Sequence, residues 1–90
     1  MVNKTFNYLT SLDVSGLSVV NTKNIDPNSL HYDVLCFINQ LILNKTDINR
    51  LKVCFNNITK HFKYAFSVND ALSSIRAKVS ATIEILKTIS

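Results

Sequence analysis

The sequence predicts an all-α fold: a short N-terminal helix, a loop, then two or three long antiparallel helices, assembled as a homo-oligomer. Three observations carry this reading. The 90 residues include one Gly and one Pro, too little punctuation for a β protein with many turns. Apolar side chains recur at steps of three and four along most of the chain, the period of one helix face. The hydrophobic fraction is 47%, as in a globular domain and above that of a disordered one. The length allows one domain, 1–90, divided into an N-terminal helix and loop (1–25) and a helical hairpin or bundle (26–90).

Thr5 to Asp13 places Phe6, Leu9 and Leu12 at helical spacing, enough for about two turns that must pack on something to persist. Val14 to Ile25 breaks the pattern: Ser15, Gly16, Ser18, Asn21, Thr22 and Asn24 are loop formers, and Leu17, Val19 and Val20 would pin the loop to the body. Asp26 is expected as the N-cap of the first long helix, with Pro27 at its first helical position. Leu30, Val34, Leu35, Phe37, Ile38, Leu41 and Ile42 wrap most of the way round that helix. Such a helix is covered by several neighbours, and in so small a chain some would come from another subunit. Asn44 to Thr46 reads as a turn with Thr46 capping the next helix. There Ile48, Leu51, Phe55, Ile58, Phe62 and Ala65 make a narrow packing seam, and Lys52, Asn56, Lys60 and Lys63 a polar stripe. Ser67 and Asp70 have capping-box spacing, so a break or fresh start is expected near Ser67. Leu72, Ile75, Val79, Ile83 and Leu86 continue helically to the C-terminus. Short connections make neighbouring helices antiparallel, and each long helix would span ~25–30 Å at 1.5 Å per residue.

The formal net charge is +4, from 10 basic and 6 acidic side chains. That permits an anionic partner without demanding one, and a duplex-DNA binder carries a denser basic cluster. Cys36 and Cys54 belong to no CxxC pair and sit in apolar runs, as buried reduced thiols do. No apolar stretch near the N-terminus reads as a signal peptide, and the longest unbroken apolar run, Val34 to Ile38, is too short to span a membrane. The expectation is a cytoplasmic protein. The glycosylation patterns at Asn3, Asn44 and Asn57 are then by-products of an Asn-rich composition. That composition, with its Lys and Ile usage, points to an AT-rich genome such as a phage, a virus or an AT-rich bacterium.

Catalysis is not expected. Covalent chemistry needs a nucleophile, a base and an orienting group. His31 and Asp33 are two apart and point to different sides of a helix. His31 and Cys36 are poorly aligned, and His61 has no carboxylate near it in sequence. Glu84 is the only glutamate, and neither a phosphate-binding Gly-rich loop nor a metal-ligand cluster occurs. No cofactor and no metal are expected.

A sharper pattern lies in the first third. Phe6 and Tyr8 stand just ahead of a loop rich in hydroxyl and backbone donors, Thr22 and Asn24 among them, which carries Lys23 to the start of a helix. Aromatic rings offer bases a stacking surface, and a lysine, loop N–H groups and a helix N-terminus favour phosphate. The plainer reading has Phe6 in the core, Tyr8 half-buried and Lys23 solvated.

A small helical chain with a tyrosine near its N-terminus and a lysine in the loop before its long helix resembles the phage anti-CBASS sponge proteins. These sequester the cyclic oligonucleotide signals of bacterial antiviral defence. Tyr8 and Lys23 fall where that family's ligand-contacting tyrosine and lysine stand, and the match covers mainly the first third of the chain. The resemblance implies a homo-oligomer, a hexamer, with pockets shared between protomers, a cyclic di- or trinucleotide ligand, and no chemistry on it. Two other function classes stay open: an anti-defence or regulatory protein-protein module using a helical face, and a weak nucleic-acid binder using the Lys52 to Lys63 stripe.

Overall fold

The computed structural model describes residues 4–89. Asn3, the acceptor residue of the first glycosylation pattern, therefore lies outside the described residues. Four α-helices follow in order: α1 (Lys4–Thr10), α2 (Leu30–Leu43), α3 (Ile48–Thr59), which tightens into a 3-10 turn (Lys60–Phe62), and α4 (Val68–Ile89). Among the described residues there is no strand.

α1 makes about the two turns expected and ends at Thr10, before Leu12 and Asp13. Its end is closed by two tight bonds, from Ser11 N–H to the Tyr8 carbonyl and from Leu12 N–H to the Leu9 carbonyl. Asp13 then accepts the Ser15 N–H at 2.9 Å, and Leu17 N–H closes a turn onto the Val14 carbonyl at 3.1 Å. Gly16 sits in that turn at φ +81°, a left-handed conformation that glycine adopts without steric cost.

The loop that follows is pinned, though not by all three expected side chains. Leu17 packs on the core, whereas Val19 faces out. Val20 is held through its backbone: the Asn39 side chain accepts its N–H and donates to its carbonyl.

Two caps fall elsewhere than predicted. Asp26 does not cap α2. Its carboxylate accepts the Asn28 N–H and its carbonyl accepts the Ser29 N–H, a turn with Pro27 at its first corner. That turn delivers Ser29 as the N-cap, accepting from Tyr32 N–H. Likewise Asp47, not Thr46, caps α3 by accepting from Arg50 N–H, while the Thr46 hydroxyl donates to the Asn44 side chain. The start expected near Ser67 is present: its hydroxyl accepts the Asp70 N–H at 3.1 Å and α4 begins at the next residue.

All four α-helices feed one core. Phe6 and Leu9 come from α1, Val34, Phe37, Ile38 and Leu41 from α2, Leu51, Phe55 and Ile58 from α3, and Ile75, Val79 and Ile83 from α4. Phe6 meets Phe55 edge-on, with centroids 5.5 Å apart and planes at 74°. The α3 seam is narrower than its sequence spacing, because Ile48 and Ala65 at its two ends are exposed. α3 runs only to Thr59, so Ala65 lies beyond it in the connection.

The apolar surface of α2 was expected to need another subunit. Instead Val34, Leu35, Phe37, Ile38 and Leu41 are all buried within the single chain. Helix lengths are also less even than expected. The 14 and 12 residues of α2 and α3 correspond to roughly 20 Å each, and the 22 of α4 to about 33 Å, at 1.5 Å per residue.

Candidate functional site

Phe6 and Tyr8 are two positions apart on α1, so their side chains leave the helix on nearly opposite sides. Phe6 enters the core and is 4% exposed, with no open face for a base to stack on. Tyr8 remains 39% exposed and lies against α4. Its hydroxyl shares a hydrogen bond with Ser80 Oγ at 3.3 Å, and the Arg76 guanidinium sits 4.4 Å from its ring centroid. That distance is a cation–π contact.

Ser73, Arg76, Ala77 and Ser80 repeat at steps of three, one and three. They form one stripe of α4 beside its apolar stripe. With Tyr8 they line an open groove of about 400 Å³. A second groove of about 310 Å³ shares Ser73 and Arg76 and adds Lys4, Thr5, Asn69 and Leu72. The shared walls make a continuous trough along the α1–α4 edge. Two cations, three hydroxyl-bearing side chains around Tyr8, and no carboxylate among these lining residues give it the chemistry of an anion acceptor.

Thr22, Lys23 and Asn24 lie elsewhere. Ile25 N–H bonds to the Thr22 carbonyl at 3.1 Å, so Lys23 and Asn24 are the two corners of a tight turn, and both are exposed. The Asn21 side chain accepts the Lys23 N–H at 2.9 Å. The Thr22 hydroxyl interacts with that of Tyr32 on α2. The structure thus seats Tyr8 on α4 and the Lys23 turn on α2, and neither half of the trough contains both.

A second locus joins α2 to the end of α3. His61 Nε2 lies 2.6 Å from Asp33 Oδ2, with side chains 25% and 16% exposed. The sequence left His61 without a carboxylate, because its partner is 28 residues away. The pair lines an open groove with Pro27, Asn28, Tyr32, Asn57 and Lys60. Burial pushes the Cys36 and Cys54 thiols up, with the Tyr32 hydroxyl opposing the shift at Cys36, which disfavours the thiolate. The Tyr32 hydroxyl is itself raised, first by the neighbouring Cys36. Among the described residues no group of three or more His, Cys, Asp or Glu could hold a metal ion, and no helix is long and apolar enough to cross a membrane.

Lys52, Asn56, Lys60 and Lys63 are all exposed. Lys60 donates to the Asn57 side chain at 3.3 Å and Lys63 lies over the Tyr64 ring at 5.1 Å. The stripe is therefore present as a surface, partly occupied with its own neighbours.

Sequence reasoning missed Lys4, Ser73, Arg76 and Ser80. The available signal was the small, polar stripe of α4. What the sequence lacked was the register that sets it against Tyr8. The fold and trough define an all-α domain with an open, polar surface site. Compared with protein-family models, curated proteins and solved structures, the chain matches none of them.

Proposed function

We propose that this is a non-enzymatic binding protein, encoded by a phage or virus, that sequesters cyclic oligonucleotide second messengers in the host cytoplasm and so blocks bacterial antiviral defence. It would act as a homo-oligomer. The observation that carries the reading is Tyr8. An exposed aromatic ring stands at the mouth of a trough lined by Lys4, Arg76 and serine hydroxyls, with no lining carboxylate.

Each group has a role suited to a cyclic phosphodiester. The Tyr8 ring, with Arg76 over it, stacks on a base. Arg76 and Lys4 neutralise phosphates. Ser73 and Ser80 hydrogen-bond phosphate or ribose oxygens. Lys23, on the exposed Thr22–Ile25 turn, would reach the ligand from a neighbouring protomer. That division would account for a tyrosine and a lysine both contributing although one chain holds them on different helices. Binding requires no chemistry of the ligand.

Calorimetric titration of a cyclic trinucleotide into wild type, Tyr8→Ala, Arg76→Ala and Lys23→Ala tests the assignment. Losing an aromatic stack costs ~1–3 kcal/mol and a charge-assisted bond ~1.5–3 kcal/mol. Each variant should therefore bind roughly ten- to a hundredfold more weakly, with its helical content intact. A nucleic-acid binder would instead depend on Lys52, Lys60 and Lys63, and an inhibitor using a helical face would be indifferent to Tyr8. Unchanged affinity in both Tyr8→Ala and Arg76→Ala would remove the trough from the account.

A further inference from the structure

The α1–α4 trough has two chemically different ends. Ser73 and Arg76 belong to both of its grooves, Tyr8 and Ser80 to one, Lys4 and Asn69 to the other. Lys4 and Tyr8 stand one turn apart on α1 and so share a face. Asn69 and Ser80 lie about 16 Å apart along α4 at 1.5 Å per residue. The trough is therefore long enough for more than one nucleobase. At one end Tyr8 presents a ring, which stacks on any base. At the other Asn69 presents a carboxamide, the only one among the residues lining either groove. A carboxamide sets a fixed donor beside a fixed acceptor, whereas lysine and arginine only donate. Asn69 is exposed in the first turn of α4, and among the described residues its side chain makes no hydrogen bond.

We propose that Asn69 makes the trough selective for adenine, reading that base at the Lys4 end while Tyr8 stacks on another. The inference rests on the reading of the trough as a cyclic oligonucleotide site. Adenine places its N6 amino donor beside an acceptor ring nitrogen, and an asparagine carboxamide meets both at once. Guanine differs on each edge. Its N1–H and N2 amino group are adjacent donors, best met by the paired acceptors of a carboxylate, which lines neither groove. Its O6 and N7 are adjacent acceptors, met by arginine or lysine. Arg76 and Lys4 are those cations here, and the phosphates engage both. Arg76 is further held against the Tyr8 ring, 4.4 Å from its centroid. The carboxamide is thus the group left to distinguish one base from another.

Calorimetric titration of the all-adenine and all-guanine cyclic di- and trinucleotides into wild type, Asn69→Ala, Asn69→Asp and Tyr8→Ala tests the proposal, with far-UV circular dichroism as the control for folding. Asn69 is exposed, so its variants should keep the wild-type spectrum. Wild type should bind the adenine form roughly ten- to a hundredfold more tightly than the guanine form of the same ring size, the discrimination of one bidentate base contact. Asn69→Ala should abolish that ratio and Asn69→Asp should reverse it. Tyr8→Ala should weaken both forms and preserve it. The ratio is the readout because the charge that Asn69→Asp adds repels the phosphates of both forms alike. A wild type that binds the two forms equally, or an Asn69→Ala protein that keeps the wild-type ratio, would overturn the selectivity and leave the trough a nucleotide site. Binding of none of these ligands would overturn the nucleotide reading itself, and the selectivity with it.

Discussion

The side-chain amide of Asn39 closes a two-bond pair with the backbone of Val20. Asn39 Oδ1 accepts the Val20 N–H at 2.8 Å and Asn39 Nδ2 donates to the Val20 carbonyl at 2.9 Å. One side chain on α2 thus does for the loop what a neighbouring strand would do, satisfying both polar groups of a part-buried residue. Leaving such groups unpaired costs about 1–3 kcal/mol each when they are buried. Asn39→Ala should lower stability by about 1–3 kcal/mol and speed hydrogen exchange at the Val20 amide. Asn39→Asp should not restore the pair, because a carboxylate oxygen would face the Val20 carbonyl. Chemical denaturation of the two variants, alongside exchange at Val20, checks this. A slow Val20 amide in Asn39→Ala would show that the loop is held by other means.

Phe6 and Phe55 should behave as core residues. Truncating either to Ala should cost ~3–5 kcal/mol, much of the stability of a typical domain. The double variant should reveal a coupling of ~0.5–1.5 kcal/mol from the edge-on rings. Thermal unfolding of the two single variants and the double variant measures both quantities. Phe6→Ala with a wild-type melting curve would place that ring outside the core.

Gly16 should resist substitution. At φ +81° a Cβ meets no neighbouring atom within 4 Å, so the penalty of Gly16→Ala is conformational alone, ~1–2 kcal/mol. Denaturation of Gly16→Ala reads this directly, and no loss of stability would mean that the turn relaxes.

The two thiols give a pH prediction. Burial raises Cys36 and Cys54 above the ordinary thiol value of 9.0. Below 9.0 both folded and unfolded thiols are protonated, so their contribution to stability is fully present. As pH rises above 9.0 the unfolded chain ionises first, and the contribution is lost progressively up to the folded values. Stability measured from pH 7 to 10.5 should fall less steeply in Cys36→Ala/Cys54→Ala than in wild type. Both thiols should also react more slowly with an alkylating reagent at pH 8 than a free cysteine does. Reaction at the rate of free cysteine would show open thiols.

Much of the fold was legible in the sequence. The stripe Leu72, Ile75, Val79, Ile83, Leu86 and the Ser67 start fixed α4, because burial on one face and capping are local properties. The caps of α2 and α3 were misplaced because Asp26 and Thr46 are plausible caps that local turns claimed first. Asp26 bonds Asn28 and Ser29, and Thr46 bonds Asn44. The covering of α2 was not legible, since periodicity shows which sides are apolar and not which element meets them. The same limit hid the contact of Asp33 with His61 and of Tyr8 with Arg76, which depend on the register of helices far apart in sequence. Of the candidate binding residues, Tyr8 stands at a groove, Phe6 in the core, and Thr22, Lys23 and Asn24 on a turn of their own.

The central claim is that this chain captures a cyclic oligonucleotide and leaves it unaltered. Calorimetric titration of wild type with a panel of cyclic di- and trinucleotides, followed by heat release and chromatography of the bound ligand, tests it most directly. The account predicts saturable binding of at least one member at micromolar concentration or below, with the ligand recovered chemically intact. Absence of binding across the panel at micromolar concentration, or recovery of a cleaved product, would contradict it.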